Sequence, residues 1–509
     1  MKALKPISLL LLFLCLGASA QVRVAVHESD PGPAIPKEIY GQFSEHLGRC
    51  IYDGIWVGPD SPIPNIDGYR KDVLEALKAL KVPVLRWPGG CFADEYHWRD
   101  GIGPRENRPR MINSNWGGTV EDNSFGTHEF LNLCELLGTE PYISGNVGSG
   151  SVEELAKWVE YMTARGGTMA DRRAANGRKE PWKVKYIGIG NESWGCGGNM
   201  TPEYYSDLYK RYATYCRDYD GNRLYKVASG ASDYDYNWTK VLMKQVGRQA
   251  DAVSLHYYSI IDWNHKGSAT DFTDGEYYDI IAKSLEIEEV LRNHEHIMDT
   301  YDPEKKIDLL LDEWGTWFDV EPGTNPGHLF QQNTMRDALV AALSLNIFNK
   351  HTDRLKMANI AQIVNVLQSM ILTSGNRMLL TPTYHVFRMF NGHQDAVAIP
   401  VEFACDTLPS PSGRLYPTLS VSASRSNDGK ILVTLANPCL DKPQTVLLTL
   451  DAARPKTVSA EILQTPDVRA HNTFDKPEQV KPKPFNAVRI SGRTITLTLP
   501  PAAVVALSL

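Results

Sequence analysis

Eight short apolar runs alternate with amphipathic stretches through the first 390 residues of this chain. Runs of this length are typical of strands buried in a parallel sheet, and amphipathic stretches between them are typical of covering helices. We predict strands at Ile39–Glu45, Val82–Trp87, Glu140–Asn146, Lys185–Gly190, Lys226–Gly230, Ala252–Tyr257, Lys306–Asp312 and Asn359–Val366. Eight strands with helical or mixed connections predict a closed (β/α)8 barrel, the TIM-barrel fold. An open doubly wound sheet is the alternative.

The predicted helices carry recognisable start signals. They cover Asp72–Leu80, Gly126–Leu137, Ser151–Met162, Thr201–Asp220 and Asn333–Asn349. Ser151 with Glu154 is the pattern of a capping box, and Thr201-Pro202 predicts proline at the first helical position.

The pattern of apolar and polar residues changes after about residue 390. Five β-rich runs follow, separated by Asn, Asp, Gly and Pro, at Leu432–Ala436, Thr445–Leu450, Val458–Leu463, Ala487–Ile490 and Thr494–Leu499. This pattern predicts a C-terminal antiparallel β-sandwich. We therefore expect a barrel domain over 38–390 and a sandwich over 391–509. Val22–His27 alternates like a strand, and we expect the segment 21–37 to join the sandwich.

The N-terminus resembles a secretory signal peptide over residues 1–20. Lys2 and Lys5 precede an apolar stretch from Ile7 to Leu16, and Ala18-Ser-Ala20 offers a cleavage site. This pattern predicts export to the periplasm or the extracellular space.

The net charge of the chain is −7 and its pI is near 6.0, so nothing indicates nucleic acid as a partner. No membrane association is expected for the mature chain.

The cysteines do not form a recognisable framework. Seven would remain after cleavage, an odd number spread over a long chain. We expect Cys134 and Cys216, on helical patterns, to be buried as small hydrophobic side chains. One or two disulfides stay open, without a predicted pairing.

Two glutamates stand where predicted strands end. Glu192 closes the fourth, in Tyr186-Ile-Gly-Ile-Gly-Asn-Glu-Ser-Trp194, and Glu313 the seventh, in Ile307-Asp-Leu-Leu-Leu-Asp-Glu-Trp-Gly315. The carboxyl ends of all strands in such a barrel lie on the same face, so both carboxyl groups should face each other there. A carboxyl pair is what glycosidic bond cleavage requires, at about 5–5.5 Å in retaining enzymes. Two ordinary salt-bridged glutamates are the competing interpretation.

A set of seven segments, in order, extends this observation. They are Gly41-Gln-Phe-Ser-Glu-His-Leu47, Leu85-Arg-Trp-Pro-Gly-Gly-Cys-Phe92, Phe125-Gly-Thr-His-Glu-Phe130, Gly190-Asn-Glu-Ser-Trp-Gly195, Ser254-Leu-His-Tyr-Tyr258, Leu311-Asp-Glu-Trp-Gly315 and Ala361-Gln-Ile-Val-Asn365. The set resembles the signatures of the α-L-arabinofuranosidases of glycoside hydrolase family 51. The resemblance implies a retaining (β/α)8 barrel with a C-terminal β-sandwich, and an assembly up to a hexamer.

The resemblance also implies roles for individual residues. Glu192 would be the general acid/base, its pKa raised by the charge of the nucleophile Glu313. Asn191 would bind the sugar 2-hydroxyl, and His256 and Tyr258 would lie beside the nucleophile and orient it.

Other residues would complete the sugar site. Glu45, Cys91 and Gln362 would bind the furanose, while Arg86 would support a carboxylate or form a plain barrel ion pair. Trp116 and Trp317 would be walls of the site, unless they fill the core. Cys91 departs from the family pattern, which has Asn there, so its thiol would make a weaker contact.

The sequence lacks the motifs of several other enzyme classes. It has no His-Glu-x-x-His, paired C-x-x-C, G-x-S-x-G or Walker A sequence. Two carboxylates need no cofactor, and we expect neither cofactor nor metal. Three functions remain: an exo-acting α-L-arabinofuranosidase acting on arabinan, arabinoxylan or their oligosaccharides, a β-xylosidase or endo-β-glucanase with the same barrel, and a non-catalytic carbohydrate-binding protein.

Overall fold

The structure, a computed structural model, describes residues 21–509, so the predicted signal peptide lies outside the described residues. Its centre is a closed barrel of eight parallel strands. They are Gly41–Phe43, Val84–Trp87, Glu140–Gly145, Tyr186–Ile189, Tyr225–Ser232, Ala252–Ser259, Asp308–Thr316 and Leu355–Ala361. The first strand pairs with both the second and the eighth, which closes the barrel. The (β/α)8 prediction is confirmed, and the open-sheet alternative is wrong.

The eighth strand differs from its prediction. It begins at Leu355 and ends at Ala361, whereas the sequence predicted Asn359–Val366. Residues 362–370 are buried in an irregular segment that leads to a hairpin, so apolar character continued beyond the strand. Burial in a loop and burial in a strand leave the same apolar signal.

The helices surround the barrel. They are Lys71–Leu80, Thr127–Leu137, Val152–Thr163, Thr168–Ala175, Pro202–Tyr215, Tyr236–Gln245, Asp274–Leu285, Ile287–Tyr301, Met335–Phe348 and Pro382–Phe390. The five predicted helices are present within a few residues of their predicted limits, apart from the C-terminal end of the fourth. Every residue of Met335–Phe348 is buried, because this helix packs between the barrel and strands of the sandwich.

Short hairpins follow the first, second and eighth barrel strands. They pair Asn65–Ile66 with Tyr69–Arg70, Met111–Asn113 with Thr119–Glu121, and Ile371–Ser374 with Arg377–Leu380. A fourth hairpin, Thr407–Pro409 with Leu415–Pro417, belongs to the C-terminal part. The second hairpin matters for the site because its turn carries Trp116.

The C-terminal part forms two sheets. One has the order Val397–Ile399, Ser420–Arg425, Ile431–Asn437, Ala503–Ser508, Ser459–Gln464 and Lys483–Pro484; the other has the order Val401–Phe403, Val22–Val26, Gln444–Leu450, Thr494–Leu499 and Val488–Ser491. Their apolar inner faces form a shared core. Pairing is antiparallel except between Val22–Val26 and Gln444–Leu450, which run parallel. The predicted sandwich is confirmed as a domain of mostly antiparallel strands, while its exact limits stay a prediction.

Across residues 21–509, no helix combines the length and the apolar character needed to cross a bilayer.

Candidate active site

The two glutamates meet at the carboxyl end of the barrel. Glu192 follows the fourth strand, and Glu313 lies within the seventh, Asp308–Thr316. One carboxylate oxygen of each, together with a ring nitrogen of His256, lie within 4.8 Å of one another. This proximity suits the retaining geometry, in which one carboxyl attacks while the other protonates.

Local backbone irregularity brings these carboxylates inward. Strict alternation along a strand would send Asp312 and Glu313 to opposite faces. The pairing of the seventh strand shifts register on both sides near these residues, so both side chains are buried in the barrel. Glu192 has a φ of 39°, in the left-handed region, and its carbonyl accepts hydrogen bonds from the amides of Gly195 and Gly197.

Glu313 is held by two donors on opposite oxygens. Arg86 Nη1 donates to Oε1 at 2.7 Å, and the Tyr258 hydroxyl donates to Oε2 at 2.8 Å. The other arm of Arg86 donates to Asn191 Oδ1 at 2.6 Å. Arg86 therefore connects the seventh strand to the loop that carries Glu192, and it stabilises Glu313 as a carboxylate.

The main hydrogen bond of His256 differs from the predicted one. Nδ1 is 2.8 Å from Glu192 Oε1 but 3.6 Å from Glu313 Oε2, so it orients the predicted acid rather than the nucleophile. Nε2 is 3.0 Å from Asp312 Oδ1. Burial lowers the pKa of His256, but Glu313, Asp312 and Glu192 outweigh it and raise that pKa to about 10. The imidazole is thus a buried cation among three carboxyl groups.

The pKa of Glu192 is raised chiefly by burial. The charge of Glu313 adds to this effect, whereas the hydrogen bond from His256 opposes it. The prediction named the Glu313 charge as the cause, and the larger contribution is desolvation of the carboxylate. A carboxyl group with a raised pKa keeps its proton closer to neutral pH, as a general acid must.

Glu45 forms the floor of the site. Its Oε1 accepts from the Phe92 amide at 3.0 Å and from Trp116 Nε1 at 2.9 Å, and its Oε2 accepts from Gln362 Nε2 at 3.1 Å. A Cβ at Gly90 would lie 2.5 Å from Glu45 Oε1, so only glycine allows this approach. Burial, with the charge of Glu313, raises the pKa of Glu45 to about 7.

Cys91 carries no free thiol in the structure, which corrects its prediction as a weak hydrogen-bond donor. It forms a disulfide with Cys196, 105 residues further along the chain. Cys196 Sγ lies 3.5 Å from Glu192 Oε2. The bridge joins the loops after the second and fourth strands and presents an apolar, polarisable surface to the acid. Cys134 and Cys216 are free and buried.

The carboxylates open into a cavity of about 280 Å³. Trp116 and Trp317 both line it and are partly exposed, so neither is core filler. Trp194, Ser232 and Trp263 line it as well and were not predicted. A larger cleft of about 820 Å³ lies elsewhere, along the helix Thr127–Leu137, where the carboxylate of Glu129 is paired with arginines.

Two buried aspartates support the site and were missed from the sequence. Asp94 accepts from the amides of Val147, Gly148 and Asn191, which fixes the loop after the fourth strand. Asp312 accepts from the Tyr142 hydroxyl at 2.7 Å and faces His256. The adjacency of Asp312 to Glu313 was the available signal, but regular strand alternation argued against it.

The groups that could coordinate a cation here are the same residues. Ligand atoms of Glu192, His256 and Glu313 converge, as do those of Cys91, Glu192 and Cys196. In the first group, each side chain is hydrogen-bonded to protein partners, and in the second the two sulfurs are bonded to each other. The donor set fits acid–base chemistry better than metal binding.

Comparison with known proteins agrees with this geometry. Residues 76–275 match the family model of the α-L-arabinofuranosidase 1 domain, and residues 312–503 match that of the α-L-arabinofuranosidase C-terminal domain. An intracellular exo-α-L-arabinofuranosidase of Bacteroides ovatus is 60% identical over 97% of this chain and 96% of its own length. The chain belongs to the α-L-arabinofuranosidases of glycoside hydrolase family 51.

Solved structures of this family superpose on the enzyme over nearly its whole length. The family 51 arabinofuranosidase of Xanthomonas axonopodis pv. citri has a TM-score of 0.95 at 46% identity, covering 96% of this chain and 99% of that one. The arabinose complex of the Thermotoga maritima α-L-arabinofuranosidase has a TM-score of 0.85 at 31% identity, covering 96% and 100%. The chain is therefore a glycoside hydrolase, and the non-catalytic alternative is wrong.

The prediction of export is also wrong by this comparison. The Bacteroides ovatus relative, which matches 97% of the chain, is named an intracellular enzyme, and this contradicts a periplasmic or extracellular location. A basic start followed by an apolar stretch is a compositional signal only, and such composition is not specific to exported chains.

Proposed function

We propose that the enzyme releases terminal α-L-arabinofuranosyl residues by double displacement, with Glu313 as nucleophile and Glu192 as general acid/base. The observation that carries this assignment is the pair of carboxyl groups, which have oxygens within 4.8 Å of each other and different hydrogen-bond partners. Glu313 accepts hydrogen bonds from Arg86 and Tyr258, whereas burial raises the pKa of Glu192. Two carboxyl groups with opposed protonation are what a retaining glycosidase needs.

In the first step a Glu313 oxygen attacks the anomeric carbon, and Glu192 protonates the departing oxygen. Because His256 occupies Oε1 of Glu192, the proton is carried on Oε2, the oxygen that faces the disulfide. In the second step Glu192 takes a proton from water, which attacks the glycosyl ester and frees Glu313. The ester carries no charge, so the pKa of Glu192 falls as its role changes.

We assign sugar recognition to the residues around the carboxyl pair. Glu45, steadied by Gln362, accepts hydrogen bonds from vicinal hydroxyls, and Asn191 binds the 2-hydroxyl. Trp116 and Trp317 form walls of the cavity. The disulfide of Cys91 contributes apolar contact in place of the amide of other family members.

The substrates we propose are arabinan, arabinoxylan or oligosaccharides derived from them. A small cavity with a buried floor favours removal of single terminal residues over attack within a chain. As a relative is named intracellular, we propose that this enzyme acts inside the cell on short oligosaccharides. A homo-oligomer up to a hexamer stays a prediction.

Initial rates on 4-nitrophenyl α-L-arabinofuranoside and β-D-xylopyranoside test this proposal, with Glu313→Ala as the control. We expect strong preference for the furanoside, lost in the variant. A preference for the xyloside, or equal activity of the variant, would contradict it.

A further inference from the structure

A row of aromatic rings leads from the nucleophile to the surface. Tyr258, which donates to Glu313, meets Trp317 edge-on with ring centroids 5.1 Å apart, and Trp317 meets Trp263 edge-on at 5.4 Å. Exposure increases along the row, since Tyr258 and Trp317 are half-buried and Trp263 is 55% exposed. An exposed tryptophan that continues a row of aromatic rings out of a cavity forms a contiguous apolar surface, and such surfaces mark ligand-binding grooves.

The row of aromatic rings runs from the closed end of the cavity to its open end, and this indicates which part of a substrate would contact Trp263. Glu45 and Gln362 close the inner end of the cavity and are both nearly inaccessible to solvent. Release of a terminal residue places that residue at the closed end, so the remainder of the substrate leaves through the open end. Trp263 lines the same cavity and is 55% exposed, which assigns it to the open end.

The loop after the sixth strand holds Trp263 in place. Asp262 Oδ1 accepts from the Asn264 amide at 2.7 Å, and Lys266 Nζ donates to the Trp263 carbonyl at 3.0 Å. These contacts fix the backbone on both sides and leave the indole itself projecting into solvent. A positioned ring needs no ordering on binding, which favours stacking on a flat partner.

We propose that Trp263 is the platform for the first sugar ring of the leaving group, and that it sets the preference for glycosyl over small leaving groups. This inference rests on the proposed function and adds a residue that selects the substrate. The occupant is a sugar ring with an apolar C–H face, which tryptophan stacks against. That ring can be an arabinofuranose of arabinan or a xylopyranose of arabinoxylan.

Three substrates separate these cases. Methyl α-L-arabinofuranoside has no ring in its leaving group, α-1,5-arabinobiose has a furanose, and arabinosyl-xylobiose has a xylopyranose. We expect Trp263→Ala to lower kcat/KM about tenfold on a substrate whose ring stacks, chiefly through KM, and to leave the methyl glycoside within about twofold. Trp263→Phe should recover most of the loss, because a flat ring returns.

Tyr204→Ala serves as the matched control, since Tyr204 is an equally exposed aromatic residue outside this cavity. Loss on arabinobiose alone supports an arabinan-type occupant, and loss on arabinosyl-xylobiose alone supports a xylan-type occupant. Equal loss on all three substrates, or none on either ring-bearing one, overturns the proposal. Wild-type enzyme inactive on all three would instead overturn the proposed function.

Discussion

Glu192 and Glu313 are the same side chain, and their neighbours alone separate their roles. Glu313 accepts from Arg86 and Tyr258, whereas the partly exposed Glu192 has a single strong donor, His256. Donors stabilise the ionised form and burial the protonated one. The roles that we propose for the two glutamates therefore follow from which carboxyl group accepts a hydrogen bond from Arg86.

Replacement of the proposed acid should depend on the leaving group. We expect Glu192→Ala to lower kcat/KM by about 10³-fold on arabinobiose and far less on 4-nitrophenyl α-L-arabinofuranoside, whose leaving group needs little protonation. Initial rates on both substrates check this, with the exposed Glu203→Ala as control. Equal losses would argue against Glu192 as the acid.

The charge of His256 should appear in the pH profile. His256 opposes the rise in the Glu192 pKa, so removing its charge should raise that pKa further. The proposed mechanism needs protonated Glu192, so activity should fall as pH rises through its pKa, and His256→Gln should move the basic limb of the kcat/KM profile upward. A limb that stays in place or moves down would be inconsistent with this contact.

At this scale the sequence identified the glutamates but not all their partners. Glu192 and Glu313 were predictable because a barrel brings all strand ends together. The choice of His256 between two carboxyl groups depends on its ring orientation, which motif spacing does not encode. The pairing of Cys91 with Cys196 joins distant loops, and the odd cysteine count gave no guide to it.

At the scale of elements, strand patterns were more informative than loops. Seven predicted strands overlap the observed ones closely, while the eighth was displaced because the buried segment after Ala361 is apolar without being extended. The helices Thr168–Ala175, Tyr236–Gln245, Asp274–Leu285, Ile287–Tyr301 and Pro382–Phe390 were not among those predicted. Thr168–Ala175 has only eight residues, too few to give a clear helical period.

The disulfide should stabilise the loop that carries the proposed acid and the loop after the second strand. A cross-link that closes a loop of about 100 residues is worth up to about 4.7 kcal/mol in the chain-entropy account, with typical values of about 2–4 kcal/mol. We expect Cys91→Ala with Cys196→Ala to lower the urea midpoint of unfolding.

Reductant provides the matched control for this prediction. Dithiothreitol should lower the midpoint of the wild-type enzyme and leave that of the double variant unchanged. A wild-type midpoint insensitive to reductant, equal to that of the double variant, would contradict a stabilising bridge.

At the scale of the whole molecule, the first and last strands of the described residues lie in the same domain. Val22–Val26 lies between Val401–Phe403 and Gln444–Leu450, so a strand that precedes the barrel is central to a sheet that follows it. The β-rich composition after residue 390 made the sandwich predictable. The parallel pairing of Val22–Val26 was not predictable. The direction of that pairing depends on where the chain leaves the barrel and enters the sandwich.

This strand should matter for stability more than for chemistry. Val24 is 1% exposed in the sandwich core, so Val24→Asp would bury an unpaired carboxylate. We expect a loss of about 3–5 kcal/mol in the free energy of unfolding, measured by denaturant titration, with kcat retained at low temperature. The exposed neighbour Arg23→Ala should behave as wild type. Unchanged stability of Val24→Asp would show that the strand is dispensable.

Azide rescue tests the central assignment most directly. Glu192→Ala and Glu313→Ala are incubated with 4-nitrophenyl α-L-arabinofuranoside and sodium azide, and the products are identified by proton NMR. Without its nucleophile the enzyme should form β-L-arabinofuranosyl azide in one inverting step, and without its acid/base it should form the α-azide from the glycosyl enzyme. Exchanged stereochemistry between the two variants, or no glycosyl azide from either, would contradict Glu313 as nucleophile and Glu192 as acid/base.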